Sequence, residues 1–362
     1  MAGHVRSRRY VLHDFAIGTR HRGVAFVDSG VRDILRAHPP APAPYYPTDT
    51  FVIRRAGDKG LGMFTTSALR VGAIALIEHP TVIAPFVLGL TDTPACDFYD
   101  DLFGSLPMRQ YEMLMGLANC MPRTSVGHAE GVMATNALAI ELDVPATGSN
   151  QELSTHRAIF MQASRINHSC SPNAKWEWDR KTLSLTLRAV RPIRAGEEIT
   201  INYVDPAVPR AERRASLRTT YHFDCNCAAC ARGDPRSDIA RTELRAFGSG
   251  LPAFDVWCRD ARMPDMVLIR AHERALALIE TEGLEVLGCR EHIDVITMCY
   301  GALADENMFR YWANESREER AQDNMGDLKV VQTWISNPRA LPVWGWRRDT
   351  IQARRRSSRS PK

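Results

Sequence analysis

The sequence predicts an α+β protein in which short strands come in two blocks and helices fill most of the last third. Three observations predict it. Residues 183–187 (Leu-Ser-Leu-Thr-Leu) alternate cleanly, as a half-buried strand does. Apolar runs at 51–53 and 73–77 are bounded by turn-forming residues. Beyond about residue 237, apolar residues recur at helical spacing.

Residues 1–50 show no sustained periodicity and end in Pro39, Pro40, Pro42, Pro44 and Pro47, which favour extended chain. They are expected to form an N-terminal arm with one short helix near 31–37. The strands at 51–53 and 73–77 flank a turn at Gly57-Asp58-Lys59-Gly60. Residues 84–155 mix helical and loop signals without a strand pattern of any length, so they read as an insert. Strand signals return at 176–178, 183–189 and 198–203, separated by turns at Asp179-Arg180 and Arg194-Ala195-Gly196.

The expected domain runs over 51–220, followed by a short cysteine-rich segment at 221–233 and a helical region at 234–345. In that region Leu268, Ala271, Ala275, Leu278 and Ile279 share one helical face, and Gly283 is a natural stop. Further helices are expected over 293–303, 306–322 and 328–335. No fixed 34-residue repeat is found, so a plain bundle is preferred to a tetratricopeptide array. Residues 347–362 hold seven basic residues against one acidic, so 346–362 reads as a basic disordered tail.

The chain has 362 residues, 44% hydrophobic and 24% charged, with a formal net charge of +4. These values are ordinary for a soluble globular protein and do not argue for direct nucleic-acid binding. The most apolar stretch, 71–90, is broken by Glu78, His79, Pro80 and Pro85, so no membrane span is expected. The first residues are arginine-rich and lack an apolar core, which argues against a secretory signal. The expectation is an intracellular monomer, in the nucleus, the cytoplasm or both. Phosphate-loop, GxSxG and HExxH motifs are missing from the sequence.

Nine cysteines in a reducing setting are not a disulfide framework. Cys96, Cys120, Cys258, Cys289 and Cys299 are scattered and read as small apolar residues. The other four are different. Cys225, Cys227 and Cys230 put three thiols within six residues, a spacing suited to thiolates around one tetrahedral zinc ion. A fourth ligand is needed, and spacing leaves two candidates open: the nearby His222, or Cys170, fifty-five residues upstream. With Cys170 the ion would staple two distant stretches together and contribute to folding.

Several motifs now converge on a known family. Asn167-His168-Ser169-Cys170-Ser171-Pro172-Asn173 resembles the NHSCxPN signature of SET-domain methyltransferases. Residues 196–203 (Gly-Glu-Glu-Ile-Thr-Ile-Asn-Tyr) resemble its GEExTxxY signature, and 221–230 its post-SET YxFxCxCxxC. Residues 57–64 are similar to the N-terminal GxG element. Order and spacing are most similar to the SMYD branch. One departure is clear: SMYD proteins insert a MYND zinc finger, and here the corresponding stretch holds only Cys96 and Cys120, too few to build one.

The resemblance implies a SET fold, small sheets around a pseudoknot, and a protein-lysine N-methyltransferase that uses S-adenosylmethionine on a histone or non-histone protein. It implies Cys170, Cys225, Cys227 and Cys230 as the zinc ligands. It implies that Lys59, Gly60 and Gly62 approach the methionine end of the cofactor, with Asn136 bonded to the same end. Ser164, Asn167 and His168 would hold the ribose, adenine and amino groups, and Tyr221 and Phe223 would cover the adenine. Leu61 stands where the branch often has a polar residue. Tyr203 is the implied catalytic residue, aiming a substrate amine from the end of a channel and lining the cofactor pocket. The competing readings are a catalytically inactive SET-fold binding module in chromatin or protein complexes, and a zinc-containing helical adaptor.

Overall fold

The computed structural model describes residues 10–357 apart from 20, 45, 47–48, 88–94, 123–125, 143–154 and 324–327. The architecture is α+β, with three small sheets and a helical C-terminal half.

The first sheet has the order β1 (Tyr10–Ile17), β2 (His21–Asp28), β6 (Val82–Pro85), β8 (Thr155–Ile159), β7 (Leu138–Glu141). The second joins β10 (Ala174–Asp179), β11 (Ser184–Ala189) and β5 (Ile74–Glu78). The third joins β3 (Phe51–Arg55), β4 (Leu61–Thr65), β12 (Glu198–Ile201) and the two-residue β9 (Asn167–His168). All three meet over one core, to which Phe15, Met63, Leu76, Ile83, Leu187 and Ile199 contribute.

The last pairing positions the site. β9 runs parallel to β12, with Asn167 opposite Thr200 and His168 opposite Ile201. The two signature motifs therefore lie side by side, just before Tyr203. Asn173 fastens them: its amide nitrogen donates to the Glu198 carbonyl, and its oxygen accepts from the Thr200 amide, each at 2.8 Å.

Three expectations are corrected. The first concerns the N-terminal arm. Residues 10–28 form a β-hairpin, and β2 docks parallel on β6 through Val24 and Val82. The strand alternation is present, with His13, Phe15 and Ile17 buried, but a histidine in an inward position disguised it. The expected short helix is α1 (Ser29–Ala37), capped by Asp28.

The second correction concerns the insert. It supplies β7 to the first sheet and leads into β8, and it holds α2 (Ala95–Gly104), α3 (Met108–Met115) and α4 (His128–Asn136). These helices bury Phe98, Leu102, Phe103, Val132 and Met133 against Val82 and Ile159 of the sheet. Strands of four and five residues give too short a pattern to recognise without their partners.

The third concerns the basic tail. Trp346–Ser357 is helical (α13), and its first turn is anchored by Arg347, fully buried over the Trp257 ring. Arg347 donates to the carbonyls of Trp257, Asp260 and Met263 and pairs with Asp265. Residues 358–362 of the tail lie outside the described residues.

The rest of the C-terminal half comprises α5 (Arg210–Tyr221), α6 (Ala228–Arg232), α7 (Pro235–Arg245), α8 (Phe254–Arg259), α9 (Val267–Glu282), α10 (Arg290–Leu303), α11 (Glu306–Asp323) and α12 (Leu328–Ser336). The expected face of α9 buries Leu268, Ala275, Leu278 and Ile279, and Gly283 ends it at φ 63°. No helix among the described residues is long and apolar enough to cross a membrane.

Candidate active site and metal centre

Cys170, Cys225, Cys227 and Cys230 come together. Their four sulfurs lie within 4.8 Å of one another, and no other metal-binding group of this kind occurs among the described residues. Zinc with four bonds of ~2.3 Å would separate its sulfurs by about 3.8 Å. The Cys170 sulfur lies 3.9 Å from that of Cys225 and 3.5 Å from that of Cys230, so the donor set fits. Hydrogen bonds from the neighbouring thiols push the Cys227 thiol well below its ordinary range, which favours the thiolate a metal requires.

The local chain explains the convergence. Cys227 caps the short helix α6, so Cys230 falls one turn further on, facing back. Cys170 lies two residues past the end of β9, and its amide donates to the Cys227 sulfur at 3.4 Å. Arg213, 1% exposed, lies against Cys170 and Cys230, a cation suited to a centre in which four thiolates outweigh one divalent ion. His222, the other candidate ligand, is exposed, holds the left-handed position that ends α5, and is not in the group.

Beside the cysteines opens a cleft of about 530 Å³, within the range of small-molecule sites. Of the residues expected around a cofactor, Lys59, Gly60, Asn136, Ser164, Asn167, His168, Tyr203, Tyr221 and Phe223 line it. Gly62 does not. It lies beneath the wall: a Cβ there would come within 2.8 Å of the Asn167 amide nitrogen and of Glu198 Oε1. That glycine is required by close packing rather than by contact with the cleft.

Each wall is braced. Glu198 bridges two of the lining residues, accepting from Lys59 Nζ at 2.7 Å and from Asn167 Nδ2 at 2.8 Å. Asn167 Nδ2 also donates to the Leu61 carbonyl at 3.1 Å. The Leu61 side chain is 42% exposed, and its backbone makes the contact, so a leucine is accommodated there. Asn136 commits its amide nitrogen to the carbonyls of Ala118 and Val132, both at 2.7 Å, which leaves its side-chain oxygen for a ligand. Across the cleft, the Asn226 amide reaches Asp58 at 3.5 Å, so the cysteine-rich segment touches the turn at 57–60.

His168 is turned inward. Its Nδ1 accepts from the Tyr203 amide at 3.0 Å, which puts the ring proton on Nε2, 3.2 Å from the Cys170 sulfur. Burial lowers its pKa to about 4, so the ring is neutral. With both nitrogens engaged, its side chain offers the cleft only its ring face. Ser164 is the opposite case. Its hydroxyl is buried and has no hydrogen-bond partner, so it is free for a ligand in the cleft it lines.

The Tyr203 ring packs tilted against the Tyr221 ring at 5.0 Å and the His168 ring at 5.3 Å, with Phe223 beyond His168 at 6.2 Å. Its hydroxyl donates to the Ile166 carbonyl at 2.5 Å. Burial, helped by neighbouring Tyr221 and Glu198, pushes its pKa far above the ordinary phenol value of 10. Leu117, Ala118, Cys120 and Thr135 also line the cleft. They come from the insert, where no motif marks them, and their position depends on how α4 packs.

Residues 60–204 of this chain match the SET domain family. Among curated proteins, the chain is similar to Histone-lysine N-methyltransferase set5 of Schizosaccharomyces pombe, with 29% identity over 206 residues, 56% of this chain and 58% of that one. It is similar to Histone-lysine N-methyltransferase SMYD3 of Mus musculus, with 42% identity over 81 residues, 22% of this chain and 18% of that one. To N-lysine methyltransferase SMYD2 of Homo sapiens it is 39% identical over 88 residues, 24% of this chain and 19% of that one. The chain therefore spans just over half of the first relative and under a fifth of the other two.

Proposed function

We propose that this chain is an S-adenosylmethionine-dependent protein-lysine N-methyltransferase. One observation carries the reading. A neutral, half-buried phenol (Tyr203), an unpartnered buried hydroxyl (Ser164) and an aromatic wall (Tyr221, Phe223) share one cleft beside a four-cysteine group fit for a metal ion.

Bound S-adenosylmethionine supplies a methyl group on a positively charged sulfur, open to in-line displacement. Ser164 Oγ and Asn136 Oδ1 are the free polar groups for its hydroxyls and amine, and the Tyr221 and Phe223 rings offer it a stacking face. Lys59 is held by Glu198 on the rim, and Gly60, at φ 83° with open space beside it, lets the backbone come close. The zinc would be held by Cys170, Cys225, Cys227 and Cys230, keeping Tyr221 and Phe223 against the cleft.

The nucleophile must be neutral, yet a free lysine titrates near ~10.4. Burial in an apolar channel disfavours the ammonium form, and its proton leaves to water as the side chain enters. Tyr203 is no base, since its own proton is held more tightly than in a free phenol. With that proton directed to Ile166, its oxygen lone pairs accept from the amine and orient the nitrogen. Alignment of this kind is worth roughly 7 to 11 kcal/mol in favourable cases.

The test uses the full chain, S-adenosylmethionine carrying a labelled methyl group, and a protein extract. Lysine-borne label that disappears with Tyr203→Phe and Cys227→Ser is expected. Cofactor binding without any transfer would make the chain a binding module, and no binding at all would sink the reading.

A further inference from the structure

Arg241 is a heavily engaged buried cation outside the cleft. It is 0% exposed, on α7, and its donors reach three separate stretches of chain. Nε pairs with Glu282 Oε2 at 3.1 Å at the end of α9. Nη1 donates to the Cys170 carbonyl at 2.9 Å and to the Pro206 carbonyl. Nη2 donates to the Ser171 hydroxyl at 3.0 Å and to the Glu282 carbonyl at 3.4 Å. The Ser171 hydroxyl donates onward to that same Glu282 carbonyl at 2.7 Å.

Two of those stretches lead straight to the site. Cys170 is a ligand of the metal centre, and Pro206 lies three residues beyond Tyr203. The C-terminal helices also press on this loop directly: a Cβ on Gly283 would lie 3.3 Å from the Ser171 Cβ. A buried ion pair is weak support for stability, since apolar residues of similar volume often serve as well. What apolar residues cannot do is grip two carbonyls on different segments at a fixed spacing, as the planar fork of a guanidinium does.

We propose that Arg241 is a positioning residue through which α7 and α9 hold the Cys170 loop and the 203–206 turn in register for methyl transfer; this rests on the methyltransferase reading above. It acts through two backbone contacts. The Cys170 amide meets the Cys227 sulfur, and the Tyr203 amide meets His168 Nδ1.

Those two amides are the reporters. Hydrogen exchange is followed on the full zinc-loaded chain, comparing wild type with Arg241→Met and Arg241→Lys. In Arg241→Met, exchange at Cys170 and Tyr203 is expected to quicken about tenfold while α10 keeps its protection. Turnover per titrated S-adenosylmethionine site is expected to fall about 10- to 100-fold, with cofactor affinity within about threefold of wild type. Arg241→Lys keeps a charge for Glu282 but loses the fork, so intermediate values are expected for both. Unchanged exchange at the two amides in either variant overturns the proposal, as does an equal rise there and throughout α10, which marks a merely structural residue. If Arg241→Met does not fold, Arg241→Lys decides by the same criteria. If wild type transfers no methyl, the functional reading fails alone, and exchange still decides the role of Arg241.

Discussion

The backbone amide of Tyr203 donates to Nδ1 of His168 across 3.0 Å, joining the two signature motifs at one point. The acceptor role of Nδ1 leaves Nε2 to face the Cys170 sulfur, so the Tyr203 backbone and the four-cysteine group are connected through one neutral imidazole.

Removing the phenol oxygen should affect chemistry more than binding. Tyr203→Phe keeps the ring contact with Tyr221 but leaves the Ile166 carbonyl without its donor. Turnover is expected to drop about 100-fold or more. Calorimetry should find S-adenosylmethionine affinity nearly unchanged; lost affinity would make Tyr203 a structural residue.

The metal centre should carry folding energy for the segment around it. The purified chain is expected to hold about one zinc ion, released by Cys227→Ser or by a strong chelator. Loss of metal and loss of cofactor binding should follow the same chelator titration. Metal analysis that finds none in fully active protein would refute this.

Gly62→Ala forces a Cβ to within 2.8 Å of both Asn167 Nδ2 and Glu198 Oε1 and 2.9 Å of the Ala56 Cβ. Crowding on three sides should cost about 1–3 kcal/mol, read as a lower urea midpoint. Because Asn167 must move, cofactor affinity should weaken as well. Wild-type stability and affinity together would show that the wall yields.

Glu78 gives a pH dependence of definite sign. Burial raises its pKa from 4.5 to about 7, although its carboxylate accepts from the Gln162 and Ala163 amides at 2.8 and 2.9 Å. The folded state thus keeps a proton that the unfolded chain loses first. Stability from this group is greatest below about pH 4.5 and is lost as pH rises through 7. The difference is on the order of 3 kcal/mol. Urea midpoints of wild type should fall from pH 5 to pH 8 more steeply than those of Glu78→Gln, and parallel slopes would exclude the effect.

Arg347→Ala should free α13. It strands the carbonyls of Trp257, Asp260 and Met263 and removes the cation over the Trp257 ring. A loss of about 2–4 kcal/mol is expected, with rapid tryptic cleavage among Arg354, Arg355 and Arg356. Equal resistance to trypsin in the variant would show that the helix is held elsewhere.

How legible these features were depends on whether the signal was local. The strand at 184–189 shows its alternation in one glance, and Gly283 stops α9 through its own backbone freedom. The cysteine trio is visible because its members are neighbours; its fourth member needed a family resemblance, since only the fold brings residue 170 to residue 225. The N-terminal hairpin was illegible because His13 interrupts its apolar alternation, and the short strands β7 and β8 because each becomes a strand by pairing with the other. Arg347 was read as part of a basic disordered tail because nothing in a basic run marks the one member that will be enclosed. His168 was visible through its motif, whereas the direction in which its two nitrogens point was not.

The docking of β2 on β6 has a practical consequence for anyone trimming this protein. A fragment cut to begin at residue 51, where the expected domain starts, would leave Val82 and Ile83 with a raw strand edge. Unsatisfied amides and carbonyls beside apolar side chains invite neighbouring molecules to add on, so such a fragment would be prone to clump. The opening stretch serves the molecule as a selvedge.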